Sequence, residues 1–181
     1  MESASPLRPN SRPKGVLVAL VNEQTIHAVD EANLVAAVEA IVRDSTFTTA
    51  NISIAIVDDE TMHKLNRRYL EHDYPTDVLS FPLEEDGTHL VGEVIASIDT
   101  ASAVADEHGV PLEQELLLYV IHGTLHLIGY RDKSPREIDV MRAAEEKYFR
   151  LFGFSPASRT SGHKTPSQMR LHDGPDWGEA G

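Results

Sequence analysis

Two histidines four residues apart, followed six residues later by an aspartate, are the side chains of this sequence best suited to chemistry: His122, His126 and Asp132. On a helix, four residues advance about 6 Å and turn about 400°, so the two imidazoles lie nearly in line on one face. That spacing lets two rings grip one cation. A continued helix would carry residue 132 to about 240° beyond His126, away from that face. Gly129 changes this, because glycine adopts the left-handed conformation that ends helices and lets the chain turn back. Asp132 can then swing under the histidines as a third ligand, since Ser134 is available to cap the helix that follows. Three ligands leave a fourth tetrahedral position for water, the layout of a catalytic rather than a structural zinc site. Zinc there would bring the pKa of that water toward neutrality and polarise a phosphoryl or carbonyl oxygen. The other reading is a pair of buried, hydrogen-bonded histidines, and the spacing by itself leaves both open.

Two absences narrow the chemistry. The chain has no cysteine, so a thiolate nucleophile, a disulfide framework and a sulfur-ligated metal are excluded, and any metal must sit on His, Asp or Glu. In the common zinc-protease signature, the residue after the first histidine is a glutamate that serves as general base. Here it is Gly123, which disfavours a peptide hydrolase. No side chain is marked as general base, and the catalytic group would be the metal-bound water.

The elements that must position these residues follow from periodicity. Residues 16–21 form a short apolar run, a first strand. Asp30 can cap a helix with Leu34, Val38, Ile41 and Val42 at helical spacing. Residues 51–57 alternate cleanly, with Ile52, Ile54 and Ile56 on one strand face. Asp58 or Asp59 can cap a helix running to about residue 69, with Met62 and Leu65 inward. Residues 78–81 and 90–98 read as strands, and Gly92 suggests a bulge or a close backbone approach. Asp99 is expected to cap an alanine-rich helix that stops at Gly109. Residues 112–128 would be apolar nearly all round as a helix, which marks a helix buried in the core. Ser134, Pro135 and Glu137 make a capping box with proline at the first helical position, opening a last helix to about residue 152. The order β-α-β-α-β-β-α-α-α predicts one α/β (α+β) domain: a mixed sheet of about four strands packed with helices, around a zinc-hydrolase-like core helix.

The 181 residues suffice for one such domain. Residues 1–14 and 155–181 are rich in Pro, Ser or Gly without apolar periodicity and read as disordered, leaving 15–154 as the folded unit. No apolar run approaches the roughly 20 residues that span a bilayer, and the N-terminus has no apolar signal segment. A soluble, cytoplasmic protein without a membrane partner is expected. The formal charge is −13, and the acidic excess sits in the middle, since residues 1–14 hold three basic groups against one acid. A general positive field for nucleic acid is therefore absent. A polyanion would need a local basic patch or a bound cation. Arg131, Lys133 and Arg136 flank Asp132 and could supply that patch.

The segment HGTLHLIGYRD over residues 122–132 resembles the signature H-G-x-L-H-L-x-G-Y-D-H of the YbeY family of bacterial endoribonucleases, the rRNA maturation factors. A second block agrees. Leu65, Asn66 and Tyr69, then PTDVLSFP over residues 75–82, look like the family's L-N-x-x-Y-R and P-T-D-V-L-S-F-P. Gly92, Glu93, Val94, Ile95 and Ser97 resemble its L-G-D-I-x-I-S strand, so the resemblance covers roughly residues 15–152. It implies a single-strand-specific endoribonuclease with one Zn2+ per chain, acting on ribosomal RNA in small-subunit maturation and ribosome quality control. RNA and the small ribosomal subunit would be its partners, and DNA would not. The chain departs from the pattern twice. The family's third histidine falls on Asp132, which can still ligate through oxygen. The arginine after Tyr in the second block is Leu70, for which Arg67 and Arg68 could substitute in holding substrate, alongside Arg131. The competing expectations are a non-catalytic ribosome assembly factor with structural zinc, and a zinc hydrolase of non-RNA substrates.

Overall fold

The computed structural model describes residues 15–70 and 76–155. The disorder expected of both termini falls outside these residues, Ser155 excepted. In chain order they form β1 (Gly15–Asn22), α1 (Glu31–Asp44), β2 (Thr49–Val57), α2 (Asp59–Leu70), β3 (Val78–Asp86), β4 (His89–Ser97), α3 (Ile98–His108), α4 (Leu112–Leu127) and α5 (Pro135–Leu151). This is the α/β order read from the sequence. The four strands make one mixed sheet in the order β1-β2-β4-β3, with β1, β2 and β4 parallel and β3 antiparallel to β4. No helix among the described residues is long and apolar enough to cross a membrane.

Helix α4 occupies the centre. Every residue from Gln114 to Leu127 is buried. It packs on β3 and β4 and is itself contacted by α1, α3 and α5. Two glycines permit this. A Cβ at Gly123 would stand 2.8 Å from both Ser80 Oγ and Val94 Cγ1, so the helix backbone meets the sheet directly there. A Cβ at Gly92 of β4 would stand 2.9 Å from Leu127 Cδ1, which realises the close approach that the sequence suggested. The Ser80 hydroxyl donates to the Gly123 carbonyl at 2.9 Å, tying the same contact. The irregularity opposite Gly92 lies in β3, where the register shifts between Pro82 and Glu84.

Two expectations need correction. The strand over 78–81 runs on to Asp86 as one arm of a hairpin with β4. β3 is an edge strand, where a proline such as Pro82 is tolerated. Asp99 does not cap α3. β4 runs into α3 without a loop, and the Ser97 hydroxyl at the junction accepts the Thr100 N–H at 3.2 Å. Asp99, the second residue of α3, instead accepts the Asp59 N–H at the start of α2 at 2.9 Å. Asp59 in turn accepts from the Ser97 and Thr100 hydroxyls. The two helix N-termini are thus stitched together, while Asp58 caps α2 through the Thr61 N–H at 2.7 Å.

Alanine normally stabilises a helix over glycine by roughly 1 kcal/mol. At position 123 the added methyl has no room, so Gly123→Ala should instead cost about 1–3 kcal/mol, the range for overpacked cores. Urea unfolding midpoints of the two proteins check the sign.

Candidate metal centre

The end of α4 builds the site. Gly129 takes φ of 100°. Its N–H bonds to the His126 carbonyl at 3.0 Å, and the Tyr130 N–H reaches back to the Leu125 carbonyl at 3.0 Å. This is a Schellman end, in which a glycine in left-handed conformation closes the last carbonyls. The turn brings the Tyr130 carbonyl to His126 Nδ1 at 2.9 Å. Two residues on, Asp132 Oδ2 comes to 3.7 Å from His126 Nε2 and 3.9 Å from His122 Nε2. The next helix is then fixed by the Ser134–Glu137 capping box, so Asp132 is not used as a cap.

The two rings meet nearly edge to face at 85°, with their Nε2 atoms 3.0 Å apart. Their outer nitrogens decide what those Nε2 atoms can do. His126 Nδ1 faces a backbone carbonyl, and His122 Nδ1 faces the Glu145 carboxylate at 2.6 Å. Both partners accept, so each neutral ring carries its proton on Nδ1 and a lone pair on Nε2. At 3.0 Å the two Nε2 atoms need a proton or a metal ion between them. A tetrahedral zinc with bonds of about 2.0–2.1 Å would place its ligand atoms about 3.3 Å apart. The separations of 3.0, 3.7 and 3.9 Å bracket that value. The donor set of two imidazoles and one carboxylate fits such an ion, and all three ligand atoms lie within 4.8 Å of one another.

Electrostatics agree. Burial and the neighbouring His122 push the pKa of His126 down from 6.5 to about 4, against the opposing pull of Asp132, the Tyr130 carbonyl and Glu145. His126 is therefore neutral at pH 7, in the form that could ligate a metal. His122 is wholly buried, whereas the Asp132 side chain keeps 17% of its surface. Access to the cluster is from the Asp132 side. Asp77 is also buried. Its carboxylate accepts the Val78 N–H at 2.9 Å and the Thr76 hydroxyl at 3.2 Å, and burial raises its pKa, partly offset by that bond and by His122.

The remaining residues predicted for the site lie apart from one another. Arg131 is exposed beside Asp132 and, with Arg136, Tyr130, Ile128 and Val140, lines an open groove of about 380 Å³. Arg67 and Arg68 are exposed near the end of α2. Tyr69 beside them packs against Phe81, with ring centres 5.5 Å apart and planes tilted by 59°. Phe81 points to the sheet face opposite Ser80, which faces α4, so α2 lies across the sheet from the histidine helix. Position 123, where a protease would place its base, is packed on the sheet and does not face the cluster. Glu145 was not anticipated. Its signal is a carboxylate within the buried stripe Met141, Ala144, Tyr148 and Phe149 of α5.

Residues 19–153 match the family model described as Endoribonuclease YbeY. The chain belongs to the YbeY endoribonuclease family. Two relatives named Endoribonuclease YbeY illustrate the likeness. The Rhodopirellula baltica protein is 43% identical over 120 residues, covering 65% of this chain and 62% of its own length. The Salinibacter ruber protein is 34% identical over 149 residues, covering 78% of this chain and 95% of its own. The solution structure of TM1509 from Thermotoga maritima is similar with a TM-score of 0.54 at 26% identity, covering 82% of this chain and 99% of that one. In this YbeY chain Asp132 stands where the signature has its third histidine, and the fold brings its carboxylate to the other two.

The depressed pKa of His126 has a consequence for the metal-free protein. Between pH 6.5 and about 4 the unfolded chain binds a proton at this residue that the folded one refuses. Stability should fall as pH drops through that window, and this contribution should level off below it. Urea titrations with chelator present, at several pH values, check this. A His126→Gln variant should show a shallower slope over the same window.

Proposed function

We propose that this protein is a zinc-dependent endoribonuclease that cleaves single-stranded RNA, acting in the cytoplasm on ribosomal RNA during small-subunit maturation and ribosome quality control. The observation that carries the metal reading is the pair of Nε2 lone pairs facing each other at 3.0 Å beside the Asp132 carboxylate. The observation that carries the substrate is the family, whose named members are endoribonucleases. His122, His126 and Asp132 would hold the ion. Zinc, when bound, supplies Lewis-acid stabilisation of negative charge on a phosphoryl oxygen.

The protein's own groups supply the rest. The groove that holds Arg131, the residue before Asp132, also holds Arg136 and the Glu137 carboxylate. Guanidinium groups bind phosphate oxygens in bidentate fashion, so this local patch can hold a backbone that the acidic domain as a whole repels. Tyr130, Ile128 and Val140 give the same groove an apolar wall against which an unpaired base can rest. Arg67 and Arg68 on α2 offer a second cationic contact for a longer chain. The Arg68 guanidinium lies 5.4 Å from the Tyr69 ring centre.

Chelation should abolish cleavage of a single-stranded RNA, and added zinc should restore it. His126→Ala should lower cleavage at least about 100-fold, the scale on which losing essential metal chemistry is felt, with the far-UV circular dichroism unchanged. RNA cleavage that survives both treatments would defeat the proposal. Arg131→Ala should reduce the slope of log affinity against log salt by about 0.7, the single-strand value for one phosphate contact. An unchanged slope would remove Arg131 from the binding surface.

A further inference from the structure

His122 has no exposed surface, and among the described residues its outer nitrogen meets the Glu145 carboxylate, 2.6 Å away. Glu145 is 7% exposed and comes from α5, 23 residues later in the chain. It stands four residues after Met141 and four before Phe149, at a position where the stripe is otherwise apolar. Packing alone does not call for a carboxylate there. A buried carboxylate is costly unless hydrogen-bonded, and Glu145 meets that cost through the His122 ring. The contact therefore points to a role at the ring that Glu145 touches.

We propose that Glu145 is a positioning residue for the metal. The inference rests on the metal reading given above. By accepting the Nδ1–H, Glu145 holds His122 in the tautomer whose Nε2 lone pair is aimed at the Nε2 of His126 and at Asp132. It also fixes the ring plane and makes Nε2 a stronger donor. The two histidines are supported unequally: His126 leans on the neutral Tyr130 carbonyl, His122 on an anion. Asp132 and Glu145 together bring two negative charges to a pocket that is nearly closed, which matches a divalent cation and disfavours a monovalent one. The capping box at the start of α5 and the buried Tyr148 and Phe149 further along hold the helix at the depth that this contact needs.

The alternative role is a purely structural ion pair between α4 and α5. Zinc affinity separates the two. Dissociation constants would be measured by chelator competition for the wild type, Glu145→Gln and Glu145→Ala, together with melting of each metal-free protein. Gln keeps the volume and an acceptor oxygen but loses the charge; Ala loses both. Positioning predicts zinc binding about 10-fold weaker in Glu145→Gln and about 100-fold weaker in Glu145→Ala, the range for removing a ligand's outer partner. The cobalt-substituted Glu145→Ala protein should also show altered visible absorption bands, because the ligand ring is no longer held. Zinc affinities within twofold of wild type in both variants would overturn the proposal, whatever the melting shows. If Glu145→Ala does not fold, the Glu145→Gln comparison decides by itself. Failure of the wild type to bind zinc at all would overturn the metal reading before any variant is made, so the two failures are distinguishable.

Discussion

Two neutral imidazoles cannot point lone pairs at each other in a dry protein interior without something between them. Here the constraint is strict, because both outer nitrogens are committed to acceptors, Tyr130 O and the Glu145 carboxylate. Neither ring can switch tautomer to relieve the clash without giving up a buried hydrogen bond. The rest of the molecule can be read as the means of sustaining that arrangement. It needs a helix whose histidine face is turned away from water, a chain reversal directly after the second histidine, and a further helix that returns a carboxylate to the first.

The first requirement explains the packing of α4. A helix surrounded on all sides has little tolerance for volume, and its closest approach to the sheet is made by backbone, at Gly123 against Val78, Ser80 and Val94. That contact lies within the His122–His126 span itself. The register of β3 against β4 therefore sets where the histidines stand. The same hairpin places Asp77 at its start, close enough for His122 to influence its carboxyl. Sheet, central helix and the cluster of His122, His126 and Asp132 form one mechanical unit.

Much of this was legible in the sequence because the signals were local. Ser134, Pro135 and Glu137 announce a helix start within four residues, and the structure has that capping box. The unbroken apolar run after Leu116 announces a buried helix, and α4 is buried throughout. Where the reading failed, the deciding interaction was not local. Ser97 caps α3 because β4 enters the helix without a loop, which the alternation of a strand does not reveal. Asp99, a plausible cap by position, is drawn to Asp59, 40 residues away. Glu145 gains its meaning only from a ring on another helix. That the helix of Arg67 and Arg68 lies on the other sheet face from the histidines follows from the alternation of β3, which their own segment does not reveal.

The connection between α4 and α5 is anchored at both ends. The glycine-closed turn fixes Gly129 and Tyr130, and the Glu137 carboxylate takes the N–H groups of both Lys133 and Ser134. Only Arg131 and Asp132 lie between the two anchors. A linker that short has few conformations to lose, so its carboxylate is presented to an incoming ion with little ordering left to do. It also leaves no slack: the number of residues between Gly129 and Ser134 is as much a part of the cluster as the aspartate itself. One more or one fewer would leave both helices intact and aim a different side chain at the histidines.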